Sequence, residues 1–96
     1  MSEIPRIKSA EPVLYGVVKI EWLDGFVGLV DIRSVVSTLP MFLFLKNDIK
    51  RFNHMQLEKY GHKIYWIDDD GDEVDLSSGS LRERAERQSE ILRLAS

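Results

Sequence analysis

The stretch from Leu14 to Trp22 alternates apolar and polar side chains and is rich in β-branched residues. A period of two commits this part of the chain to a half-buried strand. Leu23-Asp24-Gly25 follows as a hairpin loop, and the side chains beyond it select the register. A two-residue Asp24-Gly25 turn sets Trp22 opposite Val27 and leaves Phe26, Val30 and Ile32 on the face of Lys19 and Glu21. A three-residue loop with Gly25 in the left-handed conformation sets Trp22 opposite Phe26 instead. Val18, Ile20, Trp22, Phe26, Val30 and Ile32 then share one face, and Lys19, Glu21 and Asp31 the other. The second register separates the faces and is the expected one.

After this hairpin, Asp31 is placed to accept a backbone N–H from the first turn of a short helix through Ser34 to Ser37, which Pro40 ends. Met41 to Leu45 is a continuous apolar run that reads as a buried segment, and Asn47 or Asp48 starts one more helical turn with Ile49 and Phe52 facing inward. Met55 to Tyr60 and Lys63 to Ile67 read as a second hairpin around Gly61. Asp68 to Asp72 forms an acidic turn centred on Gly71, and Glu73 to Leu76 closes a short strand. Ser80-Leu81-Arg82-Glu83 has the pattern of a capping box, so a C-terminal helix is expected over 81–95. Its inward stripe is Leu81, Ala85, Gln88, Leu92 and Ala95, with Glu83 and Arg87 paired one turn apart. The fold class that follows is α+β: an antiparallel sheet of about four or five strands in hairpins, with a short middle helix and a C-terminal helix. Residues 1–96 read as a single domain, with 1–10 a loose N-terminal tail.

Composition narrows the functional classes. The 96 residues contain no cysteine, which removes disulfides, thiolate zinc sites and cysteine nucleophiles. No apolar run follows Arg6 and Lys8 to make a signal peptide, and none approaches the roughly 20 residues of a membrane span. A cytoplasmic location is therefore expected, with no membrane partner. Net charge is −3, from 16 acidic against 13 basic residues, and such a chain lacks the basic field that drives nucleic-acid binding. In the last helix Glu83, Glu86 and Glu90 interleave with Arg82, Arg84, Arg87 and Arg93, which makes a solvated face instead of a basic stripe. Trp22, Trp66, Phe26 and Phe44 lie at positions expected to face the core. Nucleic acid is not an expected partner.

The acidic run Asp68-Asp69-Asp70-Gly71-Asp72-Glu73 is the most suggestive stretch chemically, since clustered carboxylates hold calcium or magnesium. Its spacing does not match a calcium loop. With Gly71 as the loop glycine, the first ligand position falls on Trp66 and the last on Ser77. A solvated turn between strands is the expected state. His54 and His62 stand eight residues apart and do not form a helical metal pair, and Ser77, Ser78 and Ser80 lie where caps and turns place serines. No nucleophile elbow, phosphate loop or dinucleotide fingerprint occurs. No catalytic, metal or cofactor residue is assigned, and no cofactor is expected. In the last helix Ile91 and Leu94 lie off the inward stripe, which predicts self-association into a homodimer through these two residues, with a frayed helix end in a monomer as the alternative. Edge strands of the sheet offer a second place for another copy to pair.

The order of landmarks resembles the bacterial domain-of-unknown-function family 2442. The matching pieces are Ile20-Glu21-Trp22-Leu23-Asp24-Gly25, Val30-Asp31-Ile32 before a short helix, Phe42 to Leu45, Asn47-Asp48 and Phe52, Ile64-Tyr65-Trp66, and Val74-Asp75-Leu76-Ser77 with Leu81. The resemblance covers residues 5–85 and rests on turns and core aromatics. It implies a small α+β domain without known catalytic residues, sometimes joined to a helix-turn-helix domain and often encoded beside another small protein in a toxin–antitoxin-like arrangement. The acidic turn and the charged last helix depart from that pattern. The expected function is a non-catalytic protein-binding or regulatory module, antitoxin-like, whose partner is encoded nearby. The alternatives are a small metal-dependent enzyme using the acidic turn, or a DNA-associated accessory protein.

Overall fold

The computed structural model describes residues 5–95. In chain order the elements are β1 (Ile7–Leu14), β2 (Val17–Trp22), β3 (Val27–Asp31), α1 (Arg33–Thr38), a 3-10 segment (Pro40–Leu45), α2 (Ile49–Asn53), β4 (Gln56–Leu57), β5 (Lys63–Ile67), β6 (Glu73–Ser77) and α3 (Ser78–Ala95). The fold is α+β, as the sequence pattern requires. Its strands divide into two three-stranded antiparallel sheets, ordered β1-β2-β3 and β4-β5-β6.

The first hairpin takes the register that separates the faces. Ile20 pairs with Gly28 and Val18 with Val30, and the Trp22 N–H donates to the Phe26 carbonyl at 2.9 Å. Gly25 closes the loop at φ +92°, and the Asp24 carboxylate accepts the Phe26 N–H. Val18, Ile20, Trp22, Val30 and Ile32 are consequently buried, with Phe26 half-buried against Trp22.

The loose tail expected over 1–10 is corrected from Ile7 onward, where the chain enters β1; residues 1–4 lie outside the described residues. Ile7 is buried opposite Trp22, and Ala10 and Pro12 pair with Ile20 and Val18. Register shifts after Ile7 and after Pro12 break the alternation that would have announced a strand. Pro12 is tolerated because β1 is an edge strand.

The middle of the chain differs from expectation in its periods. Met41 to Leu45 is not buried throughout. As a 3-10 turn it repeats every three residues, so Phe42 and Leu45 face the core while Met41 and Leu43 are exposed. Asp48 caps α2 by accepting the Arg51 N–H at 3.1 Å. Phe52 points inward as expected, whereas Ile49 is exposed. Asp31 does accept the Arg33 N–H at the start of α1, at 3.0 Å.

The capping box at Ser80 and Glu83 is also corrected. α3 begins three residues before the expected Leu81, and Ser77 receives the Ser80 N–H at 3.2 Å, which makes Ser77 the capping serine. Leu81 and Ala85 are buried, and Gln88 is half-buried. The side chains of Leu92 and Ala95 lie outside the described residues.

One core draws on both sheets. Trp66 of β5 meets Phe42 edge-on at 5.8 Å and Phe52 at 5.6 Å, and Phe52 meets Tyr15 at 5.5 Å. A main-chain bond joins the sheets at their margin, from the Ile7 N–H to the Gly61 carbonyl at 2.8 Å, while the Ser78 N–H to the His62 carbonyl at 2.7 Å extends the β5–β6 ladder by one pair. A Cβ at Gly61 would stand 2.3 Å from the Ile7 carbonyl oxygen, and the residue's φ is +76°. Only glycine permits this approach.

Candidate functional site

Three regions bear on function: the acidic β5–β6 turn, the junction beneath the start of α3, and the outward face of α3.

In the acidic turn, one oxygen of Asp68 accepts the backbone N–H of both Asp70 and Asp72, each at 2.9 Å, and Gly71 supplies a φ of +83°. That carboxylate therefore serves its own turn, as an aspartate does when it mimics a backbone acceptor. The same folding brings ligand-type oxygens of Asp68, Asp70 and Asp72 within 4.8 Å of one another. Asp70 and Asp72 are exposed, and Asp69 pairs with Arg51 at 2.7 Å. A cleft of about 200 Å³ beside the turn is lined by Phe44, Arg51, His54, Trp66, Ile67 and Asp69. His54 thus lies near the acidic turn, on its polar rim. His62 lies elsewhere, stacked loosely on Tyr60 and 3.6 Å from Glu58. The two histidines are not brought together. Glu58 is held below its ordinary value by the backbone N–H groups of Tyr60 and His62. That carboxylate organises the loop that presents Gly61 to Ile7.

The junction beneath α3 was not legible as a site. Ser78 is buried, accepts the indole N–H of Trp22 at 3.1 Å, and donates its hydroxyl to the Pro5 carbonyl. One turn on, the Arg82 guanidinium lies 4.2 Å from the centre of the Phe26 ring and 5.3 Å from that of Trp22. It pairs with Asp24 at 2.9 Å and with Glu86 at 2.7 Å. The hydrogen bond from Arg82 holds the Asp24 carboxyl below its ordinary range. Among the described residues every buried side-chain nitrogen or oxygen has a partner. Of the serines singled out, Ser77 is the cap, Ser78 the junction, and Ser80 lies within the helix bonded to Ser77.

On α3 the Gln88 side chain makes two hydrogen bonds to Asp31. Its Oε1 accepts the Asp31 N–H and its Nε2 donates to the Asp31 carbonyl, both at 2.9 Å. The inward stripe of the sequence placed Gln88 toward the body, without indicating Asp31 as its partner. Ile91 and Leu94 stand 65% and 76% exposed, off the buried line of Leu81 and Ala85. Arg87 and Glu83 approach to 4.0 Å in solvent, and Arg93 pairs with Glu90 at 3.1 Å.

No protein-family profile, curated protein or solved structure matches this chain. Among the described residues no helix is long and apolar enough to cross a membrane.

Proposed function

We propose that the chain is a non-catalytic protein-binding module of the cytoplasm, an antitoxin-like partner of a second small protein. The observation that carries this reading is the exposure of Ile91 and Leu94 on a helix whose first turns are fastened to the body. Large apolar side chains left exposed on a helix that is anchored to the body are a common form of partner contact. The resemblance in landmark order to a family encoded beside small partner proteins supports the same reading.

The test is affinity isolation from the organism that encodes the chain, with the wild type and with Ile91→Asp combined with Leu94→Asp. The wild type should retain one small protein in stoichiometric amount, and the double variant, equally folded, should lose it. Equal retention by both would move the contact elsewhere, and the recovery of nucleic acid alone would favour the DNA-associated alternative. The convergence of Asp68, Asp70 and Asp72 supports the metal-dependent alternative. Calorimetry with calcium, magnesium and manganese separates it. Saturable micromolar binding abolished by Asp68→Asn and Asp70→Asn would favour the enzyme reading over the binding module.

A further inference from the structure

We propose that Gln88 is a guard on the open edge of β3, where its side-chain amide takes the place that the same strand of a second copy would occupy. The Phe26 carbonyl accepts from Trp22, and the Ile32 N–H donates to the Gly16 carbonyl at 2.8 Å. The even-numbered residues of this strand therefore address β2, and by the alternation of an antiparallel ladder Val27, Leu29 and Asp31 turn their main-chain groups the other way. Among the described residues no strand pairs on that side. At Asp31 both groups are taken by Gln88, each at 2.9 Å. A primary amide that offers one acceptor and one donor to a single residue reproduces what a neighbouring peptide would offer.

The two edges of the sheet show why a guard is needed. β1 carries Lys8, Glu11 and Pro12, the charges and proline with which proteins blunt an edge. β3 has no proline or lysine and carries its one charge, Asp31, at its end and paired with Arg33, while Val27 and Leu29 are 50% and 60% exposed. Such an edge matches itself. Antiparallel pairing about a two-fold axis at Leu29 would set Val27 of one copy against Asp31 of the other, and it needs the two Asp31 groups that Gln88 holds. Self-pairing and the Gln88 contact are mutually exclusive. The inference is independent of the partner proposed above, because it concerns β3 and not the outward face of α3.

Sedimentation equilibrium tests it, on Gln88→Ala and on Gln88→Met, which keeps the packing of the stem but has no amide. Each is compared with the wild type at the same concentration, with far-UV circular dichroism as the check on folding. Both variants should show one association step beyond the wild type, a doubling of mass, and adding Leu29→Lys should reverse it. Folded variants that keep the wild-type mass would overturn the proposal, as would association that persists with Leu29→Lys. Should Gln88→Ala fail to fold, Gln88→Met with and without Leu29→Lys decides alone.

Discussion

The two halves of α3 are built from the same arginines and glutamates and do opposite things. From Ser78 to Gln88 the helix is fastened at each turn: Ser78 to the Trp22 indole, Leu81 and Ala85 into the core, Arg82 across Phe26 and Trp22 to Asp24, and Gln88 to the main chain of β3. Beyond Gln88 the described side chains Ser89, Glu90, Ile91, Arg93 and Leu94 are all exposed. The difference does not come from helix propensity, since the first half carries Ser78, Gly79 and Ser80 and the second the better helix formers, nor from charge, since both halves mix arginine with glutamate. It comes from what the opposing surface offers: two aromatic rings, a turn carboxylate and an open strand edge under the first half. The polar residues of the first half act as fasteners, and Ile91 and Leu94 of the second half remain outward.

If the first half is fastened through Trp22, removing that side chain should do the most damage. Trp22 is fully buried, its indole N–H is bonded to Ser78, and its ring lies under Arg82. Trp22→Ala should cost about 3–5 kcal/mol, a large part of the roughly 5–15 kcal/mol of a small domain. Denaturant titration should find much of the variant unfolded, and an unchanged midpoint would show that the ring does not anchor the helix.

Arg82→Ala comes next. Its side chain is 17% exposed, so the loss combines packing and stacking and should amount to about 1–2 kcal/mol. The same variant has a signature in acid. Arg82 holds Asp24 below its ordinary 3.8, so the folded state gains from this carboxylate above pH 3.8 and loses the gain as pH falls through the lower folded value. In Arg82→Ala that part of the decline should disappear. Stability measured by urea titration should therefore fall less steeply in this range than in the wild type, and an identical slope would mean that Asp24 draws nothing from the guanidinium.

The smallest effect is expected beyond Gln88. Ile91→Asp with Leu94→Asp should change the stability by no more than about 0.5 kcal/mol, as for other exposed positions. A loss comparable to that of Arg82→Ala would mean that these residues pack against the body.

What the sequence disclosed and what it hid follow from the range of the interactions. The Trp22–Phe26 register, the Gly25 and Gly71 turns, the Asp48 cap and the arrangement of strands before a long helix were legible, because alternation and turn chemistry act over a few residues. β1 was hidden by its register shifts and by Pro12. The partial exposure of Met41 and Leu43 was hidden because an apolar run does not state whether its period is two, three or three and a half. The junction of Ser78 with Trp22 and Pro5 spans 56 and 73 residues, and Gln88 reaches Asp31 across 57. No local pattern encodes such pairs. In the acidic turn the carboxylate cluster was visible as composition, whereas the use of Asp68 on its own backbone required the folded turn.

Native-state hydrogen exchange along α3 tests the division of this helix most directly. Amides from Leu81 to Gln88 should exchange only through global unfolding, and those beyond Gln88 should exchange faster, by local opening, with Arg82→Ala lowering the protection of the first group. Uniform protection from Leu81 through Ala95 would contradict the account, because it would mean that the far half is as firmly packed as the near half and leaves no surface for a partner.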